Sequence, residues 1–104
     1  GQLGNAQREW LSKHLASAPT TPTILAVHHT LGTNDGELVD ADRLFALLRP
    51  HTQVKAIVYG HSHKYEVIER EGLQLINLPA VGYNFNDNEP VGWVESVWTP
   101  DGVD

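Results

Sequence analysis

Two largely apolar runs, each ending beside a histidine, restrict the fold of this chain more than any other feature. Apart from Thr23 and Lys55, residues 23–27 and 54–59 are apolar and rich in strand-forming side chains, and neither run shows the alternation of a half-exposed strand. Such runs are typical of strands covered on both faces of an α/β sheet. They predict two strands, the first ending next to His28 and the second next to Gly60 and His61.

An amphipathic helix is predicted between the two runs. Asp40 is suited to cap it, apolar residues recur at helical spacing from Ala41 to Leu48, and Pro50 ends it. A β-α-β step of this kind is nearly always right-handed, with its strands parallel. Both strands then end at the same edge of the sheet, where open α/β sheets bind their ligands.

The remaining segments complete a mixed fold. Their order predicts the α/β (α+β) class, with a mixed sheet, helices and a β-hairpin. The further predicted elements are a helix over 3–18 with Asn5 as its N-cap, a turn at Asn34-Asp35-Gly36, a hairpin of 65–70 and 73–78, and a last strand over 92–99.

Composition excludes several functional classes. A chain of 104 residues corresponds to one small domain, and its formal charge of −6 gives no basic surface for nucleic acid. No apolar run has the length of a membrane span, and residues 1–20 do not resemble a secretory signal, so we expect a cytoplasmic protein that does not enter membranes. The lack of cysteine excludes disulfides and thiolate ligands.

The histidines at the strand ends form the candidate metal site. Neutral imidazoles from His28 and His61 suit a borderline divalent metal, and His63 would bring a third. In an extended segment residues i and i+2 face the same side, so His61 and His63 are expected to point into one cleft. Gly60 would allow a tight turn before them.

The segments 24–29 (ILAVHH) and 57–63 (IVYGHSH) resemble the last two sequence blocks of calcineurin-like metallophosphoesterases. The helix containing Gln7, Trp10 and Leu11 is similar to that family as well, and the branch with bacterial cyclic-nucleotide phosphodiesterases is the nearest in pattern. The resemblance implies the C-terminal half of an αββα sandwich. It also implies a hydrolase that cleaves phosphodiesters or phosphomonoesters with a metal-activated water.

The resemblance further implies which residues bind metal. His28 and His61 would bind one metal of a binuclear centre and His63 the other, the metals being two divalent or trivalent ions of Mn, Fe or Zn. His29 would pack beside the site or support it. Thr30 stands where the family usually has proline, two positions after His28.

Three other blocks of the family do not occur in these 104 residues: Asp-x-His, Gly-Asp-x-x-Asp and Gly-Asn-His followed by an acidic residue. They supply the remaining ligands, including the carboxylate that bridges the metals. Residues 1–104 are therefore expected to be the C-terminal part of a metallophosphoesterase domain and inactive alone. The alternative is an incomplete fragment or interaction module with partial metal binding, and exposed sheet edges would favour homo-oligomers.

Aromatic residues outside the strands leave two interpretations open. Tyr83 and Phe85, with Asn84 between them, lie in a polar loop over 79–90, where the three residues either contact the base or sugar of a substrate or simply pack within the loop. Trp10, Trp93 and Trp98 are expected to anchor a core or an interface.

Overall fold

A mixed four-stranded sheet carries two helices on one face. The computed structural model describes residues 1–32 and 37–104, so the turn predicted at Asn34-Asp35-Gly36 lies outside the described residues. The predicted α/β class and the hairpin are confirmed. The elements are α1 (Gly4–Ser17), β1 (Thr23–Ala26), α2 (Ala41–Leu48), β2 (Val54–Tyr59), β3 (Glu66–Arg70), β4 (Leu73–Asn77), β5 (Trp98–Thr99) and β6 (Gly102–Val103).

The strand order β1-β2-β4-β3 brings three parallel strands side by side. β1 pairs parallel with β2, β2 pairs parallel with β4, and β3 closes the hairpin antiparallel to β4. The parallel β-α-β step predicted from the sequence is therefore confirmed. Its consequence is that β1, β2 and β4 all end at one edge of the sheet.

The first strand differs from its prediction. β2 has the predicted bounds and is mostly buried, but β1 is only half-buried and ends at an exposed Ala26. The expectation that β1 is covered on both faces is wrong. β1 has β2 as its single neighbour in the sheet that the described residues form, and a cavity lies over its apolar residues beside α1.

Each face of the sheet has its own apolar core. The helix face joins α1 and α2 to the sheet through residues such as Leu15, Phe45 and Ile57. On the opposite face, Val103 of β6 packs with residues of β2 and β4. The Gln74 side chain holds β6 there, since its amide donates to the Val103 carbonyl at 2.8 Å and its oxygen accepts from the Val103 N–H at 2.7 Å.

The C-terminal segment forms less strand than predicted. Instead of a strand over 92–99, the structure has only Trp98–Thr99, paired with Gly102–Val103 in a separate two-stranded sheet. Trp93 is 81% exposed, and Trp10 and Trp98 are each 65% exposed. None of these tryptophans anchors the core of the described chain. None of the described helices has the length and apolar character needed to span a membrane.

Asp40 caps α1 rather than the helix that follows it. Its side chain makes no capping bond to α2, and its carboxylate instead accepts from the backbone N–H groups of Leu3 at 2.9 Å and Gly4 at 3.0 Å. Arg8 completes the arrangement as an ion-pair partner, with both side chains nearly buried. Asn5, the predicted cap, lies inside α1 and accepts from Arg8.

The environment of Asp40 favours its ionised form. Burial raises the Asp40 pKa, but hydrogen bonds from the amides of Leu3, Gly4 and Asp40 itself, together with Arg8, outweigh burial and leave the pKa below its ordinary value of 3.8. A carboxylate with a lowered folded-state pKa contributes stability that is present above the unfolded-state pKa. That stability is lost as the pH falls through the folded-state pKa.

Asp40→Asn should lower the free energy of unfolding at pH 7 by about 1–3 kcal/mol, because the neutral amide is a weaker cap and leaves Arg8 without its ion pair. The variant should also lack the part of the acid-induced destabilisation that sets in below about pH 4 in the parent. Urea denaturation over a pH series measures both effects. Asp42→Asn, at a 77% exposed side chain, is the control, expected within about 0.5 kcal/mol of the parent. Equal pH profiles for the parent and Asp40→Asn would contradict the prediction.

Candidate metal site

Backbone pairing continues beyond the ends of β1 and β2 and joins the two histidine segments. The Val27 N–H donates to the Val58 carbonyl at 3.0 Å, and the Gly60 N–H donates to the His28 carbonyl at 3.1 Å. The Thr30 hydroxyl then donates to the Gly60 carbonyl at 3.0 Å. Thr30 stands at the position for which the family resemblance implies proline, and its hydroxyl links the two histidine segments.

His28 and His61 meet at this edge, as the sequence predicts. His61 Nδ1 lies 3.3 Å from His28 Nε2, and the ring centroids are 5.1 Å apart. A direct hydrogen bond between these nitrogens would require one of them to carry the proton and the other to accept it. Two nitrogen ligands of a tetrahedral ion, with bonds of about 2.0–2.1 Å, lie about 3.3–3.4 Å apart. The facing nitrogens therefore fit two ligands of one metal ion.

His29 also belongs to this group, although the sequence placed it only beside the site. Its ring centroid lies 5.0 Å from that of His28 and 4.8 Å from that of His61. Burial, with a smaller effect of the neighbouring His61 and His28, lowers the His29 pKa. A lowered pKa favours the neutral imidazole, the form that binds metals and accepts hydrogen bonds.

His63 lies in the same cleft but has different neighbours. Its ring stacks on Phe85, with centroids 4.5 Å apart and an interplanar angle of 20°, and it meets Tyr83 nearly edge-on at 6.0 Å. Its Nδ1 is buried and has no hydrogen-bond partner within the described part of the chain. An unpartnered buried nitrogen is costly, so His63 retains a binding capacity that the described residues do not use.

The backbone of the histidine segment is strained. The extended geometry predicted for residues 61–63 is wrong, because φ is 75° at His61 and 58° at His63. The tight turn expected at Gly60 lies at these two residues instead. Residues other than glycine adopt this left-handed backbone conformation at a cost in free energy, and such outliers cluster at functional sites.

A polar contact from β4 supports the segment and was missed by the sequence interpretation. The Asn77 amide donates to the Ser62 hydroxyl at 2.7 Å, and Asn77 Oδ1 is buried with no partner among the described atoms. Asn77 is the last residue of β4, which runs parallel to β2 and ends at the same edge. The sequence signal that could have identified Asn77 is its position as a polar residue at the end of a largely apolar strand.

The cleft between these elements has a volume of about 500 Å³ and is lined by His28, His61 and His63 together with apolar residues. No carboxylate lines it within residues 1–32 and 37–104. Over the same residues, no three side chains of His, Cys, Asp or Glu are grouped so as to hold a metal ion together. Tyr59 also lines the cleft, and burial, with a smaller effect of Glu66, raises its pKa and keeps the phenol protonated.

Comparison with known families agrees with this geometry. The sequence model of the calcineurin-like phosphoesterases matches residues 2–65, which run from α1 through all four of the histidines described above. The chain belongs to the calcineurin-like phosphoesterase family. Members of this family are hydrolases of phosphate esters that generally use divalent metals. The mixed sheet and its helix layer are consistent with part of a metallophosphoesterase sandwich.

Similar proteins include several bacterial phosphodiesterases. A probable cyclic nucleotide phosphodiesterase of Psychrobacter sp. (strain PRwf-1) is 33% identical over 82% of this chain and 26% of its own length. The 3',5'-cyclic adenosine monophosphate phosphodiesterase CpdA of Haemophilus influenzae is 33% identical over 98% of this chain and 42% of its own length. CpdA of Escherichia coli (strain K12) is 30% identical over 82% of this chain and 33% of its own length. The chain thus spans less than half the length of these relatives.

The strain at His61 gives a testable prediction. Because φ is positive there, His61→Gly should be about 1 kcal/mol more stable to urea than His61→Ala, although glycine normally destabilises a chain relative to alanine. His28 has no positive φ, so the order of stability should reverse for His28→Gly and His28→Ala. If alanine were the more stable replacement at both positions, the left-handed turn at His61 would not form in solution.

Proposed function

We propose that residues 1–104 are the C-terminal part of a binuclear metallophosphoesterase domain that hydrolyses phosphodiesters, with cyclic nucleotides as the substrate class. The observation that carries the proposal is the 3.3 Å approach of His28 Nε2 to His61 Nδ1 at the ends of adjacent parallel strands. The family match and the cyclic-nucleotide phosphodiesterases among the relatives support it. Phosphomonoesters are the second substrate class that the family suggests.

Each histidine has a defined role in this proposal. His28 and His61 bind one ion through their facing nitrogens, and the bond from Thr30 to Gly60 fixes their separation. His63 binds the second ion, and its stacking on Phe85 fixes the plane of its ring. When bound, ions of Mn, Fe or Zn supply Lewis-acid activation of a water and neutralise phosphate charge. No residue of this chain is proposed as a catalytic acid or base.

The missing carboxylates support a second candidate function. Neutral imidazoles alone hold two cations poorly, and the cleft lining of the described residues includes no acidic side chain. The chain would then be an incomplete fragment or an interaction module that retains partial metal binding. Under both proposals the isolated 104 residues should show negligible hydrolysis of a nitrophenyl phosphodiester with added metal. Robust turnover would contradict both.

Metal binding tests the site directly. Titration of the purified chain with Zn²⁺ or Mn²⁺ in a calorimeter should give a site whose affinity falls about tenfold or more in His28→Ala and in His61→Ala, because each variant removes one of two first ligands. His63→Ala should leave that site nearly unchanged, since His63 is assigned to the other ion.

His51→Ala provides the matched control. His51 precedes β2 at the opposite end from His61 and lines a different cavity. Its removal should not change metal affinity. Equal affinity in the parent, His28→Ala and His61→Ala would eliminate the proposed site.

Other properties of the whole protein remain predictions. These are a cytoplasmic location, no binding to nucleic acid surfaces, and homo-oligomers formed through exposed edges. β3 lies at one edge of the sheet and all five of its residues are exposed, so this strand is the surface that fits such an oligomer.

A further inference from the structure

A loop beside the cleft presents large apolar side chains to solvent. Val81, Tyr83 and Phe85 occupy alternate positions and are 83%, 62% and 71% exposed. Val81 lines the histidine cleft, and the other two contact the ring of His63. Exposed apolar groups that cluster beside a cleft are characteristic of a binding surface.

Hydrogen bonds within the loop hold these side chains outward. The Gly92 N–H donates to the Ala80 carbonyl at 2.9 Å and closes the base of the loop. The Asn84 amide donates to the Glu89 carbonyl at 2.6 Å, so this residue faces the loop while its two neighbours in sequence face away. The outward direction of Tyr83 and Phe85 is therefore built into the loop.

The two aromatic rings form a continuous surface with His63, which we name the aromatic platform (Tyr83 and Phe85). Phe85 is nearly parallel to the imidazole at 4.5 Å, and Tyr83 stands almost perpendicular to Phe85 at 5.4 Å. Because Phe85 is still 71% exposed, a large part of its ring is free for another flat group. Such a group would extend the stack that begins at His63.

We propose that the aromatic platform binds the base of a nucleotide whose phosphodiester lies at the histidine cleft. This proposal rests on the proposed function of the cleft and specifies an ester that carries a flat heteroaromatic ring. Stacking on aromatic side chains tolerates any base, because every base has a π face. The Asn84 side chain is directed into the loop, where it donates to the Glu89 carbonyl, so ring stacking carries the recognition and purines, with their larger π face, should bind more tightly than pyrimidines.

Adenosine, which has no phosphate, tests the platform separately from the metal site. The 15N-labelled chain is titrated with adenosine, uridine and ribose in the presence of a chelator and followed by NMR. Adenosine should shift the amides of residues 81–85 and 63, uridine should bind more weakly, and ribose should have no effect. Phe85→Leu should weaken adenosine binding about fivefold or more, whereas Phe85→Tyr should retain it.

A second aromatic stack in the chain supplies the control. Trp10 is 65% exposed and stacks on His14 with centroids 5.5 Å apart, but it lines a different cavity, over β1. Trp10→Leu should leave the adenosine titration of residues 81–85 unchanged.

Two results would overturn the proposal: equal adenosine binding by Phe85→Leu and the parent, or no shift in the loop. The second result would leave packing within the loop, or coverage by a protein, as the role of these rings. The metal titration distinguishes failure of the proposed function. If adenosine binds but His28→Ala and His61→Ala retain full metal affinity, the platform is a base-binding site. Its assignment to a phosphodiester bound at the histidine cleft would then be wrong.

Discussion

The parallel pairing of β1 with β2 is the interaction on which the candidate site depends. It sets the register that places Ala26 beside Val58, and the next bonds of the ladder reach the histidine segments. The bond from the Gly60 N–H to the His28 carbonyl fixes the two backbones beside the point where the His28 and His61 side chains meet. A shift of one residue would turn the side chains of a strand to its opposite face. The site therefore follows from main-chain pairing, and the imidazoles need no contact of their own to be brought together.

The parts of the fold that the sequence predicts best are those in which local pattern and tertiary packing agree. β2 has the predicted bounds because it is central, with pairing partners on both sides and apolar packing on both faces. The hairpin follows from alternation interrupted at Glu71 and Gly72, where both residues have positive φ. The meeting of His28 and His61 follows from the parallel pairing of β1 and β2, because adjacent parallel strands have their carboxyl ends at the same edge of a sheet. Each of these inferences uses a rule that is independent of distant residues.

The predictions that failed required knowledge of distant contacts. Asp40 has the composition and position of a cap for α2, but it binds the start of α1 because Arg8 and two free backbone amides lie there. Residues 61–63 follow a strand and were taken as extended, yet their backbone turns, with Ser62 bonded to Asn77 at the end of β4. The segment over 92–99 has strand propensity but little ladder to join. Propensity records what a segment tolerates, and tertiary pairing decides what it forms.

The side chains that line the cleft indicate that metal ions bound there would need ligands from other groups as well. Neutral imidazoles bind a cation without reducing its charge, so an ion held by His28 and His61 alone would remain strongly attractive to phosphate. Two such ions at the spacing of a binuclear centre, about 3.5–4 Å, repel each other strongly, and a bridging carboxylate normally offsets that repulsion. Although the chain carries a net charge of −6, none of its described carboxylates lines the cleft. The described cleft therefore presents imidazole nitrogens, a strained backbone and an aromatic border, and the binuclear centre that we propose would require acidic ligands beyond this lining.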